Sequence, residues 1–249
     1  MEKDKPITWQ LALSYLEYDK NFCILENYLN ESYDLETPFL DIGANLGLRS
    51  FCSLSTGRTT FMFEPNPEVS KLNLSRCELN GFSNYYLEQI CLSNQQDEMD
   101  FYVSKSSYCS SLAKDQAESD GIEKIIKVPV STLDLFWSQT LELKRIRNCI
   151  AKIDVEGFEW EVFQGGANFF AEVNASIIVE INRNNEKKKN CFRMFKNLNY
   201  QLFGMTNAKS RFLIELNSED DFLNSDAKNY FFTSDEKLAK SVRANYLLN

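Results

Sequence analysis

Three stretches of the chain place ionisable or very small residues at the ends of apolar runs. In FLDIGANLG (39–47), Asp41 is followed by Gly43, Ala44 and Gly47. In TTFMFEPNP (59–67), Glu64 precedes Pro65 and Pro67, whose rings stiffen the turn that holds it. In AKIDVEGFE (151–159), Lys152, Asp154 and Glu156 occupy alternate positions, which puts all three on one face of a strand or its exit. Such a face is costly inside a sheet unless its charges are paired or open on a mouth. A Lys–carboxylate pair with helix capping is one reading. A reactive site is the other, with Glu180 of ASIIVEIN facing the same cleft.

The small residues around Gly43 let a ligand approach the backbone closely. The dinucleotide fingerprint G-x-G-x-x-G fails, because Asn45 and Leu48 stand where its second and third glycines belong. The phosphate-loop pattern fails too, with Gly47 one residue early and no lysine behind it. Asp41 would repel a pyrophosphate and favour a cation. S-adenosylmethionine carries two cationic groups, a sulfonium and an ammonium. Glu64 lies about 20 residues beyond the first glycine, where a strand-end carboxylate accepts from both ribose hydroxyls. The set predicts a nucleoside with a cationic tail.

These residues need elements to carry them. Strands are expected over 39–43, 59–64, 85–93, 148–157 and 175–182, with FLIEL and NYFFTS as late strands. Helices are expected over 46–56 and 66–81, the second closed by Gly81, then over FEWEVFQGG, ended by Gly165, and a polar stretch after 182. The alternation implies an α/β fold with a doubly wound, mostly parallel sheet. Residues 1–35 read as helix until Pro38, giving an N-terminal helical cap over 1–36 and a main domain over 37–249. Residues 94–147, with DFYVS as a strand, read as an elaboration of the sheet. There Ser110 and Ser111 either contact a ligand or form a plain turn, and Tyr108 either stacks on a sugar or packs. The C-terminal EKLAKSVRANYLL reads as an amphipathic helix that covers the sheet or a partner, which leaves the oligomeric state open.

Composition narrows the chemistry. The chain has 249 residues and no histidine, which removes Ser–His, Cys–His and His–metal mechanisms. Seven cysteines without CxxC pairs argue for free thiols in a reducing compartment, the cytoplasm, and against a zinc site. A net charge of −9 opposes nucleic-acid binding. The runs EKKKN (186–190) and SEDD (218–221) read as solvated faces. No apolar run approaches the ~18–20 residues of a membrane span, and the start reads as no signal peptide.

The ordered motifs DIGANLG, FEPNP, LSN (92–94), SSL (110–112), TLD (132–134), KIDVEGFE and IIVEI (177–181) resemble the FkbM-type methyltransferase family over roughly 37–235. The resemblance implies a class I, Rossmann-like fold with a seven-stranded sheet, use of S-adenosylmethionine, and O-methylation of a sugar or glycan-like small molecule. By position, Asp41, Gly43, Asn45 and Gly47 would line the methionine end. Glu64 in FEPNP, with Pro65 and Asn66, would take the ribose. Gln89–Ser93 would flank adenine, with Cys91 where the family has alanine, and Asp154 would lie beside the transferred methyl. With no histidine, the candidates for the proton acceptor are Asp154, Glu156, Glu180 and Lys152; Asp154 or Glu156 is expected to take it, with Lys152 orienting a carboxylate. Mg²⁺ held by carboxylates is the less favoured scheme, and no metal ligands are assigned. Two other readings are a catalytically silent S-adenosylmethionine sensor, for which the charged cluster has no use, and a nicotinamide-dependent reductase, which the failed glycine pattern disfavours.

Overall fold

The computed structural model describes residues 20–105, 110–119, 121–181 and 184–248, and the side chains of all of these except 141 and 142. The expected helix over the first 19 residues and the reading of Tyr108 lie outside them.

Helix α1 (Lys20–Ser32) leads into β1 (Phe39–Ile42), α2 (Leu48–Ser55), β2 (Thr60–Phe63), α3 (Pro67–Leu79) and β3 (Tyr85–Glu88). Asn66 caps α3 by accepting from the Glu68 amide at 3.0 Å, with Pro67 in the first turn, and Gly81 follows its end at φ +68°. The chain continues through β4 (Cys91–Leu92), β5 (Asp97–Ser104), α4 (Lys114–Glu118), β6 (Ile122–Ser131), α5 (Leu133–Gln139), α6 (Leu141–Lys144) and β7 (Asn148–Ile153). It ends with α7 (Glu159–Gly165), α8 (Ala167–Glu172), β8 (Asn174–Glu180), α9 (Asn185–Asn197), β9 (Gln201–Met205), β10 (Leu213–Glu215), α10 (Glu219–Asn224), β11 (Asn229–Thr233) and α11 (Glu236–Tyr246).

Among the described residues the main sheet has eight strands in the order β10-β9-β11-β8-β7-β1-β2-β3. The run from β8 to β3 is parallel, and β11, β9 and β10 pair antiparallel. The fold is therefore the expected doubly wound, mostly parallel α/β sheet, with one strand more than seven. The added strand is β9, whose Gly204 weakens its strand signature. The topological switch lies between β7 and β1, where ligands of such sheets bind.

The expected strand over 85–93 is two strands in two sheets. Glu88 makes the last rung of the main sheet, accepting from the Glu64 amide at 3.0 Å. The next amide on that side, Asn66's, donates instead to Glu64 Oε1 at 2.8 Å, and the chain turns away. Cys91–Leu92 then pairs with β6, which with β5 forms a second, three-stranded sheet in the order β4-β6-β5. Its apolar face, with Phe101, Val103, Leu112, Val128 and Val130, packs against Phe158.

One face of the main sheet is covered by an aromatic core around Phe163, Phe170, Phe195 and Phe232. The other is covered by α1 and α11, through Phe22, Leu25, Leu29, Leu238 and Val242 on Phe39, Ile150 and Phe231. Burying Leu25 and Leu29 contributes roughly 1.5–3 kcal/mol each. The C-terminal segment thus packs on its own sheet. EKKKN is not wholly solvated, because Lys188 in α9 is buried over the rings of Phe222 and Tyr230. SEDD begins α10, where Ser218 and Asp221 form a capping box.

Candidate active site

Parallel pairing of β1 with β7 sets Asp41 beside Lys152 on the face that α1 covers. Asp41 is fully buried. Its Oδ2 accepts from the Ser50 amide at 3.1 Å and the Ser50 hydroxyl at 2.6 Å, in the first turn of α2. Lys152 Nζ donates to the Gly43 carbonyl at 2.6 Å and stands 3.5 Å from both Asp41 Oδ1 and Asp154 Oδ2. Burial pulls the Lys152 ammonium down, but Asp154 and Asp41 outweigh it and hold the group above its ordinary pKa. Lys152 is therefore a fixed cation that ties the first turn to the exit of β7. Behind it lies Glu26 of α1, paired with Arg49 at 3.3 Å; burial raises its carboxyl to about 7 against the pull of Arg49.

The first turn has left-handed backbone at Gly43 (φ +81°), Asn45 (φ +46°) and Gly47 (φ +76°). A Cβ at Gly43 would sit 2.0 Å from the Asp154 carbonyl oxygen. Its lack of a side chain is thus required by close approach of β1 to the exit of β7, and Ile42 accepts from the Asp154 amide at 3.0 Å.

Beyond the carboxyl ends of β1, β2 and β7 opens a pocket of about 690 Å³ counting its mouth. Gly43, Asn45, Glu64, Pro65, Asn66, Cys91, Asp154 and Glu156 line it. Asp41, Ala44, Gly47, Gln89, Ser93, Lys152 and Glu180 are not in its lining. Asp41 and Lys152 instead support it from behind, Ala44 packs beside Met62 in a small core, and Gln89 is exposed. Ser93 is buried, its amide donating to the Ser131 carbonyl at 2.8 Å. Ile90, in the segment expected to flank adenine, lines the pocket too, but sequence reasoning missed the apolar walls Phe101, Leu112 and Phe158. Alternation in β5 marks Phe101 as inward-facing, but nothing local indicates that the second sheet folds over the pocket.

Glu64 is buried at the pocket wall. Its Oε2 accepts from the Asn45 amide and its Oε1 from the Asn66 amide, both at 2.8 Å. Burial raises the carboxyl to about 7 while the two amides oppose the rise. Each oxygen keeps a second lone-pair direction for a hydroxyl donor.

At the opposite end the chain turns sharply through Asp154–Gly157. Glu156 adopts φ +52°, a conformation that costs a non-glycine residue about 1–3 kcal/mol. Several contacts hold it. The Ser111 hydroxyl donates to the Glu156 carbonyl at 2.7 Å and accepts from the Ala113 amide at 2.9 Å. Glu159 accepts from the Gly157 amide at 2.8 Å, and Lys187 donates to the Gly157 carbonyl at 2.8 Å. Ser111 is thus a clamp between the second sheet and this turn, and Ser110 lines the pocket. Burial, then Asp154, Glu180 and Glu159, raise the Glu156 carboxyl to about 8. A carboxylate of that basicity suits proton abstraction near neutral pH.

On the far side of the turn lies a larger chamber of about 1400 Å³ counting its mouth. Gly157, Glu159 and Trp160 form its near wall, with Glu180 from the end of β8 and Asp115 and Gln116 from α4. The structure thus divides the expected catalytic set: Asp154 and Glu156 line the smaller pocket, Glu180 the larger chamber and Lys152 neither. Among the described residues no helix is long and apolar enough to cross a membrane.

Comparison with known proteins matches the sequence to a family. In solved structures the chain is similar to the methyltransferase FkbM from Methylobacillus flagellatus KT, at 13% identity and a TM-score of 0.47, over 80% of this chain and 44% of that one. It therefore spans less than half the length of that relative. It is also similar to a precorrin-6y C5,15-methyltransferase from Geobacter metallireducens GS-15 (10% identity, TM-score 0.40, 79% of this chain and 77% of that one). A third is precorrin 8w decarboxylase from Methanobacterium thermoautotrophicum (13% identity, TM-score 0.38, 80% and 82%). No curated protein matches in sequence. The model of the methyltransferase FkbM domain matches residues 41–208, well over half of the sequence. The chain belongs to the FkbM methyltransferase domain family.

Proposed function

We propose that the protein is an S-adenosylmethionine-dependent O-methyltransferase acting on a hydroxyl of a sugar or glycan-like small molecule. The observation that carries this reading is the smaller pocket. It has a doubly amide-held carboxylate, Glu64, at one wall and the Asp154–Glu156 turn at another, with apolar surface between. Those residues fit the cofactor. Glu64 has lone pairs left for ribose hydroxyls, Ile90, Phe101 and Leu112 offer apolar walls to adenine, and Asp154 offers negative charge to a sulfonium. Bound there, S-adenosylmethionine supplies an electrophilic methyl, to which the acceptor oxygen bonds as the C–S electron pair returns to sulfur.

Glu156 takes the proton released from the acceptor hydroxyl. Lys152 holds Asp154 in place and stays charged, so it is not the base. A carboxylate base needs no divalent ion, and the Lys152 ammonium repels one from Asp41 and Asp154. The test is incubation with methyl-labelled S-adenosylmethionine and a panel of glycosides, with and without EDTA, read by mass spectrometry. The expected product is a labelled methyl ether formed equally in both arms. Cofactor uptake with no product from any glycoside would point to a sensor instead.

A further inference from the structure

Helix α1 is pinned at both ends. Near its start Asn21 Nδ2 donates to the Thr206 and Ala208 carbonyls at 2.7 and 3.0 Å. Around its end the buried Arg58 donates to the carbonyls of Asn30, Tyr33 and Asp34 at 3.0, 3.1 and 2.7 Å. Between these anchors α1 presents Glu26, 2% exposed, to Arg49, the second residue of α2. The Arg49 guanidinium donates to Glu26 Oε2 at 3.3 Å and to Cys23 Sγ at 3.0 Å, and it lies 4.1 Å from the centre of the Phe22 ring.

Packing alone does not explain Glu26. Among the described residues its Oε1 has no hydrogen-bond partner, and Asp41 is near enough to repel it. An apolar residue beside Phe22, Leu25 and Leu29 would cover the sheet at lower cost, since apolar packing in place of a buried ion pair is often neutral or stabilising. What Glu26 adds is a fixed seat for Arg49, and so for the start of α2. That start continues the turn at the cofactor pocket, where the Phe51 amide donates to the Gly47 carbonyl at 2.8 Å. From α3, Asn73 and Arg76 hold the same turn, donating to the Asn45 and Leu46 carbonyls at 2.6 and 2.8 Å. Asn45, so framed, gives its amide to Glu64.

We infer that Glu26 is a positioning residue for the cofactor: acting through Arg49, it sets the Gly43–Gly47 turn so that the Asn45 amide aims Glu64 into the pocket. The inference rests on the methyltransferase reading and adds to it a role for α1, which precedes the matched residues 41–208.

The test is a double-mutant cycle in S-adenosylmethionine affinity, measured by calorimetry on the full chain. Glu26→Gln should weaken binding ~5-fold with one site per chain retained. In the Glu64→Gln background the same substitution should change affinity less than ~2-fold, because the group it aims is already disabled. The pair variant Glu26→Gln/Arg49→Met leaves no buried ion unpaired, so it serves where Glu26→Gln alone does not fold, and it should show the same ~5-fold loss. A merely structural role would lower the urea midpoint and leave the affinity of the folded protein unchanged. Unchanged affinity in either variant, or an equal loss in the parent and Glu64→Gln backgrounds, overturns the inference. So does a Glu64→Gln protein that binds as tightly as the parent. Failure of S-adenosylmethionine to bind the parent is a different result and sinks the methyltransferase reading.

Discussion

Lys152 and Glu156 are near neighbours in sequence yet sit in opposite electrostatic settings. Around Lys152, two carboxylates and a backbone carbonyl close on one ammonium, 7% exposed, and every charge has its counter-charge within 3.5 Å. Around Glu156, burial and three further acids crowd a carboxylate whose backbone is itself in an unfavourable conformation. The first arrangement is ion-paired and fixes geometry. The second is under-compensated and holds a proton that it can exchange near neutral pH. One motif, KIDVEG, therefore supplies both a support and a reactive group, and its ionisable residues do not share one role.

The comparison breaks most readily at its ion-paired half. Lys152→Met leaves Asp41 buried without its counter-ion and should cost ~3–5 kcal/mol, measured by urea unfolding. The double variant Asp41→Asn/Lys152→Met should recover much of that loss. A Lys152→Met protein within ~1 kcal/mol of the parent would show that the pair does not hold the turn. At the other half, Glu156→Gln should lower kcat by ~10²–10⁴-fold with cofactor affinity retained. The parent's rate should rise with pH up to about 8, because the base works only when ionised and its carboxyl is raised to about 8. The Gln variant should lose that rise, and a profile shared by both proteins would clear Glu156 of the role. Ser111→Ala tests the clamp between the halves. It should cost about 1 kcal/mol of stability and lower kcat more than it changes the acceptor KM, with partial rescue by Ser111→Thr.

Much of this arrangement was legible in the sequence because it rests on local signals. Asp41 lies within a short apolar strand, Glu64 and Asp154 each follow one, and the parallel order follows from alternating strands and helices. What was not legible depends on contacts distant in sequence. Asp41 reads as facing a ligand, but the β1–β7 register turns it toward Lys152 and the Ser50 hydroxyl. The glycine spacing suggests ligand approach, whereas Gly43 is needed by the carbonyl of Asp154. Residues 85–93 look like one strand, and only the pairing of Cys91–Leu92 with the distant β6 divides them between two sheets. Ser111 reads equally as turn or contact, and only the folded second sheet brings it to Glu156. The division of Glu156 from Glu180 by the turn has no sequence signature at all.

The central claim is that Glu64 and the Asp154–Glu156 turn bound a pocket for S-adenosylmethionine. Calorimetric titration of that molecule into the parent protein and into Glu64→Gln tests it most directly. Gln keeps one acceptor but turns a donor toward a backbone amide, so the account predicts one-site binding to the parent, weakened ~10–100-fold in the variant. No binding to the parent, or equal affinity in the two proteins, would contradict it.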